Sequence, residues 1–248
     1  MNVLNVVVLG IVEGLTEFLP VSSTAHLIIT AKFLTIPQTD FVKLFEVFIQ
    51  SGAILAVVVL YFSYIRKNPQ VLKTLAVSFI PTAVIGFILY KIIKTVFFDS
   101  IPLIIFTLFF FGLIFLVTEL CIKKKKIILQ KSLSNIHLRT AFIIGLAQSL
   151  AVVPGVSRAG IVMVTMMILG YKRDESAQYS FLLAVPTILA ASAYDLYKMR
   201  SIVMSSQTNG LALAIGFAVS FITAYIAVKW FIRFLKNNSL SVFGIFGG

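Results

Sequence analysis

The chain has 248 residues, 59% of them hydrophobic and only 12% charged, with a mean hydropathy of +1.03 and a formal net charge of +12. Soluble chains average about 45–50% apolar and about 25% charged, so a water-soluble globular domain is excluded, and lipid is the natural solvent. One cysteine, Cys121, excludes an internal disulfide and a cysteine-based metal cluster. Walker loops and nucleic-acid motifs are also absent.

Residues 3–34 open the chain as an apolar stretch broken by Glu13, Glu17, Pro20, Ser22, Ser23, Thr24 and His26. The start lacks a basic n-region, so no cleavable signal peptide is read there. Apolar runs at about 41–63, 73–95 and 101–122 follow. Each is near the ~20 residues that a helix needs to cross ~30 Å of hydrocarbon. Backbone polar groups in lipid must pair within their own segment, so these runs are helices. A basic loop occupies 123–137. A second broken stretch, 138–170, carries Gln148, Pro154, Gly155, Ser157, Arg158 and Gly160, and two more apolar runs lie at 176–197 and 209–235. The arms of each broken stretch are too short to span, so both read as re-entrant helical hairpins.

The two halves resemble each other. Pro20 and Pro154 are 134 apart, as are Ser23 and Ser157; Ile54-Leu55-Ala56 matches Ile188-Leu189-Ala190 at the same offset. Gly10 and Gly145, and Glu13 and Gln148, match at 135. The expectation is an internal duplication: a first repeat over 1–122 (hairpin 3–34 plus three spans), a basic cytoplasmic loop over 123–137, and a second repeat over 138–248 (hairpin 138–170 plus two spans). Three spans put the second repeat on the opposite face, giving an inverted-topology repeat in an all-α polytopic membrane protein. One face then collects Arg66, Lys67, Lys73, Lys123, Lys124, Lys125, Lys126, Lys131, Arg139, Lys172, Arg173 and Lys236. The other collects Lys32, Lys43, Lys91, Lys94, Lys198 and Arg200. The first face is cytoplasmic by the positive-inside rule, and the two hairpin tips meet near mid-depth.

Ionisable groups at that depth are functional candidates by default. Glu13 and Glu17 are four apart and share a helix face. They could hold a divalent metal, or one could act as a base. Pro20 is expected to break the helix, and Ser22-Ser23-Thr24 to start the next, with serine as N-cap. A helix N-terminus suits phosphate, and a hydroxyl there could be a nucleophile. His26, three residues beyond Ser23, could serve as acid or base. In the second hairpin a glycine-rich turn at Gly155 admits close approach of a ligand, and Arg158 offers a planar fork for phosphate oxygens. Its partners are expected among Glu13, Glu17 and substrate phosphates. Glu46 and Gln50, four apart at the start of a span, stand behind the site or at the interface. Asp195 reads as structural or interfacial, and His137 as surface.

Glu13-Gly-Leu-Thr-Glu17-Phe-Leu-Pro-Val-Ser22-Ser23-Thr24-Ala25-His26 strongly resembles the signature of the bacterial undecaprenyl-diphosphate phosphatase family, also called the BacA bacitracin-resistance family. Pro154-Gly155-Val156-Ser157-Arg158-Ala159-Gly160 resembles its second signature, and the segments at 45–52 and 181–186 also match in character. The resemblance covers nearly the whole chain. It implies an enzyme that hydrolyses undecaprenyl diphosphate to the monophosphate and inorganic phosphate in the bacterial cytoplasmic membrane. That reaction recycles the lipid carrier for peptidoglycan and confers bacitracin resistance. It implies a cavity open to the outer face. It carries catalytic roles onto Ser23, His26, Glu17 and Arg158, and substrate contacts onto Ser22, Thr24, Ser157, Gly155, Arg158 and Gln50. The family's activity is associated with divalent cations, so Mg2+ or Ca2+ is the expected cofactor, with no organic one; the resemblance does not place the metal, and Glu13 and Glu17 are its candidate ligands by their spacing alone. Expected partners are the polyprenyl diphosphate and membrane lipids, with no nucleic acid; a homodimer is left open.

Ala25 stands where the family usually has Gly, and Ala159 where it usually has Ser. Family members usually continue past the Phe243–Gly248 end with a further span, so the second repeat is expected to lack one. Attack by Ser23, with Glu17 or His26 taking its proton, competes with direct attack by water. A transporter that flips the lipid phosphate in the same cavity is the alternative from a different class.

Overall fold

A computed structural model describes residues 1–92, 101–201 and 207–246; Lys94 and the end of the 73–95 run lie outside the described residues. Among them the regular structure is helical: α1 (Val3–Thr16), α2 (Ser23–Phe33), α3 (Asp40–Lys67), α4 (Gln70–Ile92), α5 (Ile101–Lys123), α6 (Leu138–Gln148), α7 (Arg158–Ile168), α8 (Arg173–Lys198), α9 (Gln207–Asn237) and the short α10 (Ser241–Phe246). Five of these, α3, α4, α5, α8 and α9, are long and apolar enough to cross a membrane. The chain is therefore an all-α, multi-pass membrane protein. The 14 residues of α1 and the 11 each of α2, α6 and α7 rise only about 16–21 Å, short of the ~30 Å hydrocarbon core.

Both broken stretches fold as helical hairpins, α1 on α2 and α6 on α7. Pro20 is not where the first helix stops. α1 ends four residues earlier at Thr16, and Glu17 is its C-cap, still helical (φ −61°, ψ −37°) with its N–H bonded to the Glu13 carbonyl. The second break is eased by a 3-10 turn over Ser149–Val152 before Pro154.

Lipid-facing apolar side chains give no drive for helices to associate, so close backbone approach and interhelical hydrogen bonds do that work. Each half supplies them to the other. α1 packs along α9, and α6 along α4. A Cβ on Gly14 would lie 1.8 Å from Thr223 Oγ1 and 2.6 Å from the Ser220 carbonyl, and one on Gly145 would lie 2.2 Å from the Ser78 carbonyl. The Thr223 hydroxyl reaches the Gly10 carbonyl at 3.4 Å, and the Thr82 hydroxyl donates to the Gly145 carbonyl at 3.2 Å. The two glycines whose carbonyls are met in this way are the pair matched at an offset of 135. α3 packs against both α8 and α9 at the centre, and α5 turns Phe106, Phe109, Phe110, Leu113, Val117 and Leu120 outward.

One end of the molecule is fastened by polar contacts. The Gly170 carbonyl accepts the N–H groups of Gln130 and Lys131 at 2.9 Å each. Glu175 accepts the Ser132 hydroxyl at 2.8 Å and the Leu133 N–H at 2.9 Å. Arg173 donates to both oxygens of Glu119, at 2.8 and 2.5 Å, and Glu119 also takes the Leu240 N–H at 2.9 Å. α6 leaves from this end, and α7 returns to it.

Candidate functional site

The hairpins meet tip to tip. Arg158, the first residue of α7, donates from Nη2 to Glu17 Oε1 at 2.7 Å and from Nη1 to the Ser180 carbonyl of α8 at 3.1 Å. Ser23, the first residue of α2, donates to the other Glu17 oxygen at 2.5 Å. Glu17 is thus shared between the cation of one hairpin and the hydroxyl of the other. Arginine, serine and glutamate are 141 and 6 residues apart along the chain, yet one carboxylate bridges them. The Arg158 and Glu17 side chains are 13% and 5% exposed, and charge pairs this desolvated are stronger than surface pairs.

The turn that presents Ser23 is backbone in an uncommon conformation. Ser22 has φ 62° and ψ 90°, a region that costs a non-glycine residue about 1–3 kcal/mol and persists only where its surroundings hold it. Ser22 occupies the N-cap position but makes no side-chain capping bond, contrary to the expectation from its residue type. Ser157 is the one that caps: its Oγ accepts the Gly160 N–H at 3.1 Å and starts α7. Gly155 has φ 92°, and a Cβ there would sit 2.0 Å from Thr107 Oγ1. Thr107 in turn donates to the Pro154 carbonyl at 2.8 Å, which fixes the second tip against α5.

A cavity of about 490 Å³ begins at these tips. Glu17, Ser22, Ser23, Thr24, Gln50, Gly155, Ser157 and Arg158 all line it, so most of the sequence-derived set converges on one space. The cavity follows α8 from Thr187 past Ala191 to Tyr194 and Asp195, and α4 from Phe79 to Phe87. Both helices run away from the end fastened by the 130–133 and 170–175 contacts, so the cavity extends toward the opposite end. Phe87 is 75% exposed, which places an apolar wall residue at the lipid-facing margin. Asp195, read as structural or interfacial, is buried and lines this space.

Two candidates sit elsewhere. Glu13 is fully buried one turn before Glu17, and neither of its oxygens has a hydrogen-bond partner among the described residues; it interacts electrostatically with Glu17, Arg158 and Glu46. His26 is half-buried and not among the cavity's lining side chains; its Nδ1 lies 2.9 Å from the Ser22 carbonyl. Among the described residues no group of three or more His, Cys, Asp and Glu side chains converges as a metal site. A cation between Glu13 and Glu17 would compete with Arg158 and Ser23 for both Glu17 oxygens, so the pair as arranged does not present a chelate.

Three polar residues that sequence reasoning left out also line the cavity. Gln148 is fully buried and donates from Nε2 to the hydroxyls of Thr82 at 2.9 Å and Thr187 at 3.2 Å. Those hydroxyls spend their own hydrogens on the Gly145 and Leu183 carbonyls, so the α6 amide is held from two other helices, α4 and α8. The match of Gln148 with Glu13 at an offset of 135 was a signal for one of them; the two threonines carry none.

The family model described as bacitracin resistance protein BacA matches residues 6–247. A protein of Aquifex aeolicus named undecaprenyl-diphosphatase is 47% identical over 97% of this chain and 92% of its own length. One of the same name from a Sulfurihydrogenibium species is 47% identical over 99% of this chain and 95% of its own length. Another, from Campylobacter jejuni, is 39% identical over 99% and 91%. With a match running almost from end to end, over residues that build both hairpin tips and the cavity between them, this chain belongs to the BacA family.

Proposed function

We propose that the chain hydrolyses a polyprenyl diphosphate, the undecaprenyl compound that names its relatives, to the monophosphate and inorganic phosphate. The observation that carries this reading is Glu17 bridging Ser23 and Arg158 where the hairpin tips line the cavity. The polar tips suit a diphosphate headgroup, and the apolar lining toward the exposed Phe87 offers its tail a way out to lipid.

Arg158 and the unpaired first-turn amides of α2 hold the terminal phosphate, since a helix N-terminus and a guanidinium both favour an anion. Ser23 Oγ attacks the terminal phosphorus and its proton passes to Glu17 at 2.5 Å. The anhydride P–O bond breaks, and its electron pair leaves with the prenyl monophosphate. Water then forms the new P–O bond and the Ser23–phosphorus bond breaks, with Glu17 returning its proton to Ser23. Both hydrogens of the water leave on dihydrogen phosphate. The developing charge is met by groups already in place, which is where electrostatic catalysis gains most.

In this reading the enzyme recycles the carrier lipid for peptidoglycan and confers bacitracin resistance. It lies in the bacterial cytoplasmic membrane, with the lysine-rich 123–131 end cytoplasmic and the cavity open outward. The exchange of α1 and α6 between the two halves supports an inverted repeat. A test is phosphate release from a C55 polyprenyl diphosphate in detergent by wild type, Ser23→Ala and Glu17→Gln. Both variants should fall at least about 100-fold, the scale of acid–base and nucleophile losses. Near-normal release by Ser23→Ala would remove the nucleophile.

A further inference from the structure

The residue that sequence reasoning cast as an acid or base is used differently by the fold. The Ser22 carbonyl accepts two hydrogen bonds from the same residue: the His26 backbone N–H at 3.2 Å and its imidazole Nδ1 at 2.9 Å. Facing a carbonyl oxygen, Nδ1 must carry the hydrogen. The bonded carbonyl belongs to the one residue of this turn with positive φ. The peptide that it fixes is the Ser22–Ser23 plane, which sets the direction of the Ser23 amide and of the hydroxyl that reaches Glu17. Ser22 has no capping bond of its own to hold this conformation. The imidazole, moreover, is not among the side chains lining the cavity.

We propose that His26 is a positioning residue for the Ser23 turn, acting through its Nδ1–H on the Ser22 carbonyl and not through proton transfer. The proposal deepens the hydrolase reading above and rests on it. It has a consequence that separates it from acid–base chemistry. Nδ1 donates the same hydrogen in the neutral Nδ1–H tautomer and in the cation, so the contact itself involves no proton transfer. Asparagine can place an amide N–H near the position of Nδ1, and glutamine near that of Nε2 instead. The turn therefore needs a donor at one ring position, and any side chain that supplies it will do.

The experiment compares wild type, His26→Asn, His26→Gln and His26→Leu for steady-state phosphate release from a C55 polyprenyl diphosphate across pH 6–9. His26→Asn is expected within about threefold of wild type with a pH profile of the same shape. His26→Gln and His26→Leu are expected to lose kcat roughly tenfold, the effect of one hydrogen bond, with KM nearly unchanged because Arg158 still grips the phosphate. Loss of one limb of the pH profile in His26→Asn, or equal losses in Asn and Leu, overturns the proposal, as does full activity in His26→Leu. Nitrogen-15 NMR of the imidazole in the wild-type protein gives a readout that needs no turnover: Nδ1 should read as protonated throughout this range, and an unprotonated Nδ1 overturns the proposal even if the variants fail to fold. Wild type that releases no phosphate would instead overturn the hydrolase reading, while the NMR result still decides the role of His26 in the turn.

Discussion

Removing Arg158 should cost more stability than removing the charge of Glu17, although the two form one pair. Arg158→Met deletes the cation that faces Glu17, and Glu17 at 7% and Glu13 at 0% exposure are then two buried acids one turn apart with no counter-charge. Breaking a buried pair in this way costs about 3–5 kcal/mol. Glu17→Gln leaves Arg158 its bond to the Ser180 carbonyl and a second carboxylate, Glu13, within electrostatic reach. The loss is then nearer that of one charged hydrogen bond, about 1.5–3 kcal/mol. In the double variant no acid is stranded by the loss of arginine except Glu13, so the combined cost should fall short of the sum by about 1–3 kcal/mol. Thermal unfolding in detergent reads this directly, at roughly 2–4 °C per kcal/mol for a chain of this size. Arg158→Met should therefore melt roughly 6–20 °C below wild type. Equal or greater loss in Glu17→Gln, or strict additivity, would refute Glu13 as the reserve partner of Arg158.

Three further predictions concern packing and stability. Gly14→Ala drives a methyl group to within 1.8 Å of Thr223 Oγ1 and should destabilise by about 1–3 kcal/mol or more. Gly86→Ala, with nothing within 4 Å of the added carbon, should raise Tm by relieving up to ~1 kcal/mol of helix penalty; a loss there would mean that the α4 wall is tighter than it stands. Glu119→Gln weakens the fork of Arg173 and the anchor of the Leu240 N–H. It should lower Tm by the equivalent of about 2 kcal/mol while phosphate release at low temperature stays at the wild-type rate, because Glu119 is outside the cavity.

Much of the architecture was legible because lipid imposes a blunt rule on sequence. A segment near 20 apolar residues must be a helix, and a shorter one carrying Pro20 or Pro154 among polar groups must be a hairpin sheltered by protein. Among the described residues, the five long helices and the short helices of the two broken stretches lie within a few residues of where composition and length put them. The chemistry was legible for a related reason. An arginine and a glutamate among apolar helices are too costly to keep without partners, so the pairing of Arg158 with one of the two glutamates could be expected from sequence.

Chain order says nothing, however, about which atoms face one another once helices cross. That Thr82 and Thr187 hold Gln148 beside the cavity depends on α4, α6 and α8 converging, and threonine is too common in membrane helices to announce this. Nor does sequence separate Glu13 from Glu17, identical residues on one face, of which only the second is engaged by both Ser23 and Arg158. The same holds for Ser22 and Ser157: alike in type and in place before a helix, one caps and the other does not. The amino-acid sequence by itself determined the membrane class, the helical segments and the short set of polar residues that lipid would not tolerate unpaired. The tertiary structure alone decided their pairing and assigned His26 to a backbone carbonyl, because hydrogen bonds depend on ångström distances and orientations that residue spacing does not specify.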